Sequence, residues 1–185
     1  MNDAAEKRLL QETAQGDGDA LRYLYDRLGQ RVFRYIFRLV ADHHKAEDLT
    51  IDTFTEVWRS ARKFRGDALV STWVLGIARN LAMSELRRNR VPMEELDESF
   101  SYDPDPLQIC ACGERERLVK EALWLLPVIH REVLDLVFMQ ELNYEQIACI
   151  VSIPVNTVKT RVFHAKAKLR EILENMGVNR DDVFG

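Results

Sequence analysis

Between Ser152 and Arg170 the chain contains no acid, while Lys159, Arg161, Lys166, Lys168 and Arg170 follow one another closely. At roughly 100° per residue, Val155, Val158, Val162, Ala165, Leu169 and Ile172 share one helical face. Asn156, Thr160, Phe163, His164 and Ala167 lie opposite, with the bases on the flanks. Phe163 is badly placed for a core but suited to apolar contact with a thymine methyl. Packing against a neighbouring protein would suit it almost as well. Just upstream, Asn143 stands three residues before Gln146, the spacing of a capping box, and Pro154 opens the basic helix. A short helix, a tight turn and a basic helix form a helix-turn-helix whose second helix can enter a major groove. An ordinary αα-corner with a solvated basic face is the plainer alternative.

Two further clusters carry chemistry. Arg79, Asn80, Arg87, Arg88 and Arg90 form a second basic surface, with Phe64 and Trp73 nearby. Such a set suits phosphate contact and stacking of an unpaired base, although Trp73 is expected in the core. Asp48, Asp52 and Glu56 recur every four residues, an acidic ladder that can meet a basic partner or simply face solvent. No Gly-x-Ser-x-Gly, His-Glu-x-x-His or nucleotide fingerprint occurs, and Gly16 and Gly18 read as a turn. Cys110, Cys112, Cys149 and four scattered histidines lack the paired spacing of a zinc site. The expectation is therefore no catalytic residue, no metal and no cofactor, with only a redox role left open for Cys110 and Cys112.

A net charge of −4 argues against indiscriminate nucleic-acid binding. A DNA-binding reading needs a local patch and help from a partner. Three cysteines fit a reducing cytoplasm, no apolar run reaches the ~18 residues of a membrane span, and MNDAAEKR is not a signal peptide.

These side chains must be positioned by helices. Residues 1–15 read as a short helix, broken at Gly16–Asp19. From Ala20 to Val40, Leu21, Leu24, Tyr25, Leu28, Val32, Tyr35, Ile36 and Leu39 form a core stripe. After Asp42-His43-His44 a helix is predicted from about Ala46 to Phe64, with Leu49, Val57 and Ala61 inward. A loop follows, and Ser71 is expected to cap a helix that runs to Pro92, with Trp73, Ile77 and Leu81 mixing core and flank. Acids and prolines over 91–113 interrupt the periodicity and predict a flexible tether. At ~3.3 Å per residue it reaches roughly 70 Å. Helices over Glu114–Leu126 and Val128–Gln140 follow, the second with Ile129, Val133, Leu136 and Val137 inward, and Gly177 closes the last helix. The fold class is all-α: two small helical domains, 1–90 and 114–185, joined by the acidic linker 91–113, the second containing the helix-turn-helix.

Taken together, the chain resembles bacterial sigma factors of the extracytoplasmic-function (ECF) group from Asp19 to Leu173. AEDLTIDTFTEVWRSARKFRGD is similar to the segment that docks on the polymerase clamp, and STWVLGIARNLAMSELRRNR to the helix that melts and reads the −10 element. LLPVIHREVLDLVFMQELNYEQIACIVSIPVNTVKTRVFHAKAKLR resembles the −35-reading domain. The resemblance implies that Asp48, Asp52, Phe54 and Trp58 lie at or support the polymerase contact. It implies that Asn80, with Asp67 and Ser71 of the preceding loop, accepts a flipped −10 base, and that Arg79, Arg87 and Arg88 steady the strand. For the −35 element it implies Asn156, Lys159, Thr160, Arg161, Phe163, His164 and Lys166. The implied partners are core RNA polymerase (clamp and flap), promoter DNA and an anti-sigma protein. The implied setting is a cytoplasmic stress or environmental response with no membrane insertion. Four departures stand out: Ile51 where Gln is frequent, Val151-Ser152 where Leu-Gly is frequent, Asn156 where Gly is frequent, and His164 where Arg is common. The last predicts an altered or pH-sensitive −35 preference. A dimeric helix-turn-helix regulator, or a module binding an acidic protein, remain the competing readings; the first leaves the Asp48–Trp58 surface without a role.

Overall fold

The computed structural model describes residues 3–88 and 114–178. The tether expected over 91–113, with Cys110 and Cys112, lies outside them, as does Arg90. The described elements are helical: α1 (Asp3–Ala14), α2 (Gly18–Val40), α3 (His43–Ser60) prolonged by a 3-10 turn, α4 (Val70–Arg88), α5 (Glu114–Trp124), α6 (Val128–Leu134) prolonged by a π turn (Asp135–Met139), α7 (Tyr144–Val151) and α8 (Val155–Asn175). The all-α expectation agrees with this. Two compact units result: Met1–Pro92 with Asn143–Ile153, and Met93–Leu142 with Pro154–Gly185. By this division α7 belongs with the first unit, packed on α4.

In the first unit α2 is the spine. Asp17 caps it, its Oδ1 accepting the amides of Asp19 and Ala20 at 2.9 and 3.1 Å. Leu24, Leu28, Val32, Tyr35, Ile36 and Leu39 are buried as their spacing requires. Tyr25 departs from that stripe: it is exposed, and its ring meets Phe54 edge-on at 4.9 Å. Helix α3 starts at His43, earlier than predicted, because Asp42 supplies a cap, its Oδ1 accepting the Lys45 amide at 3.0 Å. That hydrogen bond also holds the Asp42 carboxyl below the usual carboxylate range. Leu49, Val57 and Ala61 are buried as expected. Thr50 and Thr53 join them because their hydroxyls donate to Ala46 O and Leu49 O at 2.6 and 2.7 Å, leaving no polar group unsatisfied.

The cap of α4 is not Ser71. The helix begins at Val70, and Ser71 is buried inside its first turn. The acceptor at this end comes from α1, where Asp3 Oδ1 takes the Val70 amide at 3.3 Å. Val70, Val74, Leu75, Ala78 and Ala82 form the buried face of α4, while Trp73, Ile77 and Leu81 are half-buried. The long residues thus mark the flank, and the small ones permit the close approach of neighbouring helices.

In the second unit Val133 and Leu136 are buried as expected, but Ile129 is exposed and Val137 only half-buried. Arg131, Glu132, Asp135 and Gln140 occupy buried positions instead. Arg131 donates to Trp124 O at 3.1 Å and stacks its guanidinium 4.4 Å above the Trp124 ring. Charged groups can hold core positions when they find such partners, and hydropathy spacing does not register them. Gly177 closes α8 in the predicted way. At φ 79° it donates to Glu174 O at 3.0 Å while Val178 donates to Leu173 O at 3.0 Å, the Schellman pairing.

Candidate nucleic-acid interface

Helix α8 follows Pro154, whose φ of −57° leads the chain into it. Val158, Val162, Ala165, Ile172 and Leu173 are buried, so the opposite face is turned out. Asn156, Lys159, Thr160, Phe163, His164 and Lys166 are all exposed there, and Arg161 is half-buried. Phe163 is 69% exposed and meets the His164 ring edge-on at 5.6 Å. Lys166 Nζ stands 5.1 Å from the centroid of Phe138, an exposed aromatic of the π turn. Thr160 donates its hydroxyl to Asn156 O at 3.0 Å, leaving its lone pairs outward as an acceptor. Beneath this face, burial pushes the His130 imidazole down, and the charges of Arg161 and His164 add to the effect.

Helix α7 carries both halves of the capping box. Gln146 N donates to Asn143 Oδ1 at 2.8 Å, and Asn143 N donates to Gln146 Oε1 at 3.0 Å. The helix ends at Ser152 with φ 55°, left-handed backbone that a glycine adopts without strain.

On α4, Asn80 is exposed, Arg87 and Arg88 are exposed, and Arg79 is half-buried. Arg88 pairs with Glu85. Asp67 is exposed in the preceding loop, but Ser71 is too buried to touch a base directly. Phe64 and Trp73 tilt together at 5.3 Å. A groove of about 250 Å³ runs beside Asn80, lined by Ala68, Thr72, Trp73, Gly76 and Ile77 on one side and by Cys149, Ile150 and Ser152 at the end of α7 on the other.

On α3, Asp48 and Asp52 are exposed, whereas Phe54 is 4% exposed and can only support a contact from beneath. Trp58 and Ile51 are exposed. With Leu21, Tyr25, Phe54 and Thr55 they line an apolar groove of about 340 Å³. The acidic ladder was visible in the sequence; this groove was missed. Its signal is the spacing Ile51, Phe54, Trp58, a second apolar stripe on a helix whose first stripe already faces the core.

Two family models match the chain in the same order as these surfaces: Sigma-70 region 2 over residues 24–91 and Sigma-70 region 4 over residues 116–169. The helical fold and these two regions define a sigma factor, the subunit that directs RNA polymerase to promoters. More narrowly, the chain belongs to the ECF family. It is 30% identical to the ECF RNA polymerase sigma-E factor of Haemophilus influenzae, over 92% of this chain and 94% of that one. It is 32% identical to ECF sigma factor SigE of Mycolicibacterium smegmatis over 77% of its own length, a match spanning 57% of that longer relative. Among solved structures it resembles the sigma factor RpoE in complex with the anti-sigma factor NepR from Bartonella quintana. That match has a TM-score of 0.66, 25% identity, and covers 83% of this chain and 96% of the other.

Proposed function

We propose that the exposed face of α8 reads the −35 element through Asn156, Lys159, Thr160, Arg161, Phe163, His164 and Lys166. Asn80 with the Asp67 loop receives a −10 base, and Arg79, Arg87 and Arg88 hold the strand. Ser71 serves that loop by packing rather than by contact. Asp48, Asp52 and Trp58 dock on the clamp of core polymerase over a floor provided by Phe54. The functional divisions are residues 1–90 for core binding and −10 reading, 91–113 as a tether, and 114–185 for −35 reading with a flap contact. The chain is a non-enzymatic cytoplasmic initiation factor for a stress or environmental response. An anti-sigma protein holds it inactive, as the NepR complex of the Bartonella factor suggests.

The observation that carries this reading is the pairing, in one ECF chain, of an acidic, apolar-grooved α3 with a basic, outward-facing α8. Reconstituted transcription tests it. Core polymerase plus the protein should initiate at promoters of its own genome; a stand-alone regulator would bind DNA yet start no transcript.

A further inference from the structure

The first turns of α3 gather two imidazoles and a carboxylate that the polymerase and DNA surfaces do not use. His43, His44 and Glu47 are all exposed, and one donor atom from each lies within 4.8 Å of the others. Glu47 sits between the rings: His43 Nδ1 is 3.6 Å from its Oε1 and His44 Nδ1 is 3.7 Å from its Oε2. Both distances are too long for a hydrogen bond. They are close to the ~3.3 Å that separates two ligands on a tetrahedral ion with bonds of about 2.0–2.1 Å. Each ring faces a different oxygen of the same carboxylate, and an ion seated between nitrogen and oxygen fits that spacing.

We propose that His43, His44 and Glu47 form a surface site for a borderline divalent transition-metal ion, Zn2+, Ni2+ or Cu2+. Two imidazoles with one carboxylate favour these over Mg2+ and Ca2+, which prefer oxygen ligands. The site is partly preorganised. The His43 ring is held edge-on by Phe33 at 5.1 Å and by Phe37 at 6.4 Å. Asp42 caps the helix through Oδ1, and its charge offsets the positive helix end that would otherwise oppose a cation. His44 is the loose member, its side chain 94% exposed, and ordering it lowers affinity. Remaining positions on the ion stay open to water or to a ligand from another molecule. Zinc scaffolds read from paired cysteines give no hint of this set, because its ligands come from a single helix at i, i+1 and i+4. The inference is independent of the polymerase reading.

Calorimetric titration of the metal-free full chain with Zn2+, Ni2+ and Mg2+ tests it, with imidazole NMR shifts followed alongside. The expected result is one Zn2+ bound per chain, His43 and His44 resonances moving while those of His130 and His164 stay, and no Mg2+ uptake. His43→Ala and Glu47→Gln should each weaken binding at least tenfold, and Cys149→Ser should leave it unchanged. Circular dichroism melts of these surface variants check that each remains folded. Unaltered binding in the His43→Ala and Glu47→Gln chains would overturn the proposal, as would the absence of saturable binding at 0.1 mM Zn2+ (an order-of-magnitude ceiling, roughly −5.5 kcal/mol).

Discussion

Helices α3 and α8 present opposite solutions to binding. The outer face of α3 sets exposed carboxylates beside an apolar groove floored by buried Phe54. The outer face of α8 is mostly polar, with Phe163 as its large apolar side chain. A groove with an aromatic rim suits a partner held by desolvated contact, where a few anchors dominate the energy. A basic face suits a partner approached through its charge, released by salt, and read by a few directional contacts. The proposed function thus gives one protein a surface for a long-lived protein contact and a surface for reversible DNA inspection.

The comparison can be broken at its strongest point first. Trp58→Ala removes the groove's anchor and should weaken core-polymerase binding by ~2 kcal/mol or more, about thirtyfold, measured by fluorescence anisotropy. Asp52→Arg should weaken it as well, with a larger dependence on salt, while both variants keep DNA affinity. Next in size, Lys159→Ala and Arg161→Ala should cost ~1–3 kcal/mol of promoter binding by the second unit's helix and leave core binding intact. A shallower salt dependence should mark those side chains that touch phosphate. Equal loss of both activities in every variant would mean that the two faces are not separate devices.

Smaller effects sharpen the contrast from behind each face. Ser152→Gly relieves the left-handed residue before α8 and should stabilise the protein by ~0.5–1 kcal/mol in a denaturant melt. His130 supplies a pH test. Its folded-state pKa is depressed, first by burial and then by Arg161 and His164, so the fold favours the neutral ring. That contribution is fully present above the ordinary value of about 6.5 and is lost as pH falls through the depressed pKa. Melts below about pH 6 should show this loss, and His130→Gln should flatten it.

Much of this was legible in the residues. The capping box of Asn143 and Gln146, the Gly177 stop and the α2 stripe are local patterns, decided within one or two turns. What the sequence hid was non-local. Ser71 looked like a cap because nothing near it announced that Asp3 would reach the neighbouring amide. Ile129 looked like core because Arg131 and Glu132 are charged, yet these charges are the buried ones. The basic and acidic surfaces could be read from charge spacing, whereas the groove beside the acids depended on which helices converge on Tyr25 and Ile51.

The Asp3 contact also has a bearing on how the chain is handled. The α4 helix that presents Asn80 is fastened at its start by a carboxylate donated 67 residues earlier. A change at Asp3 would therefore be felt at the start of α4. Loss of such a helix-end acceptor typically costs ~0.5–2 kcal/mol. A promoter-opening assay on an Asp3→Ala variant would measure that clasp together with the proposed base contact.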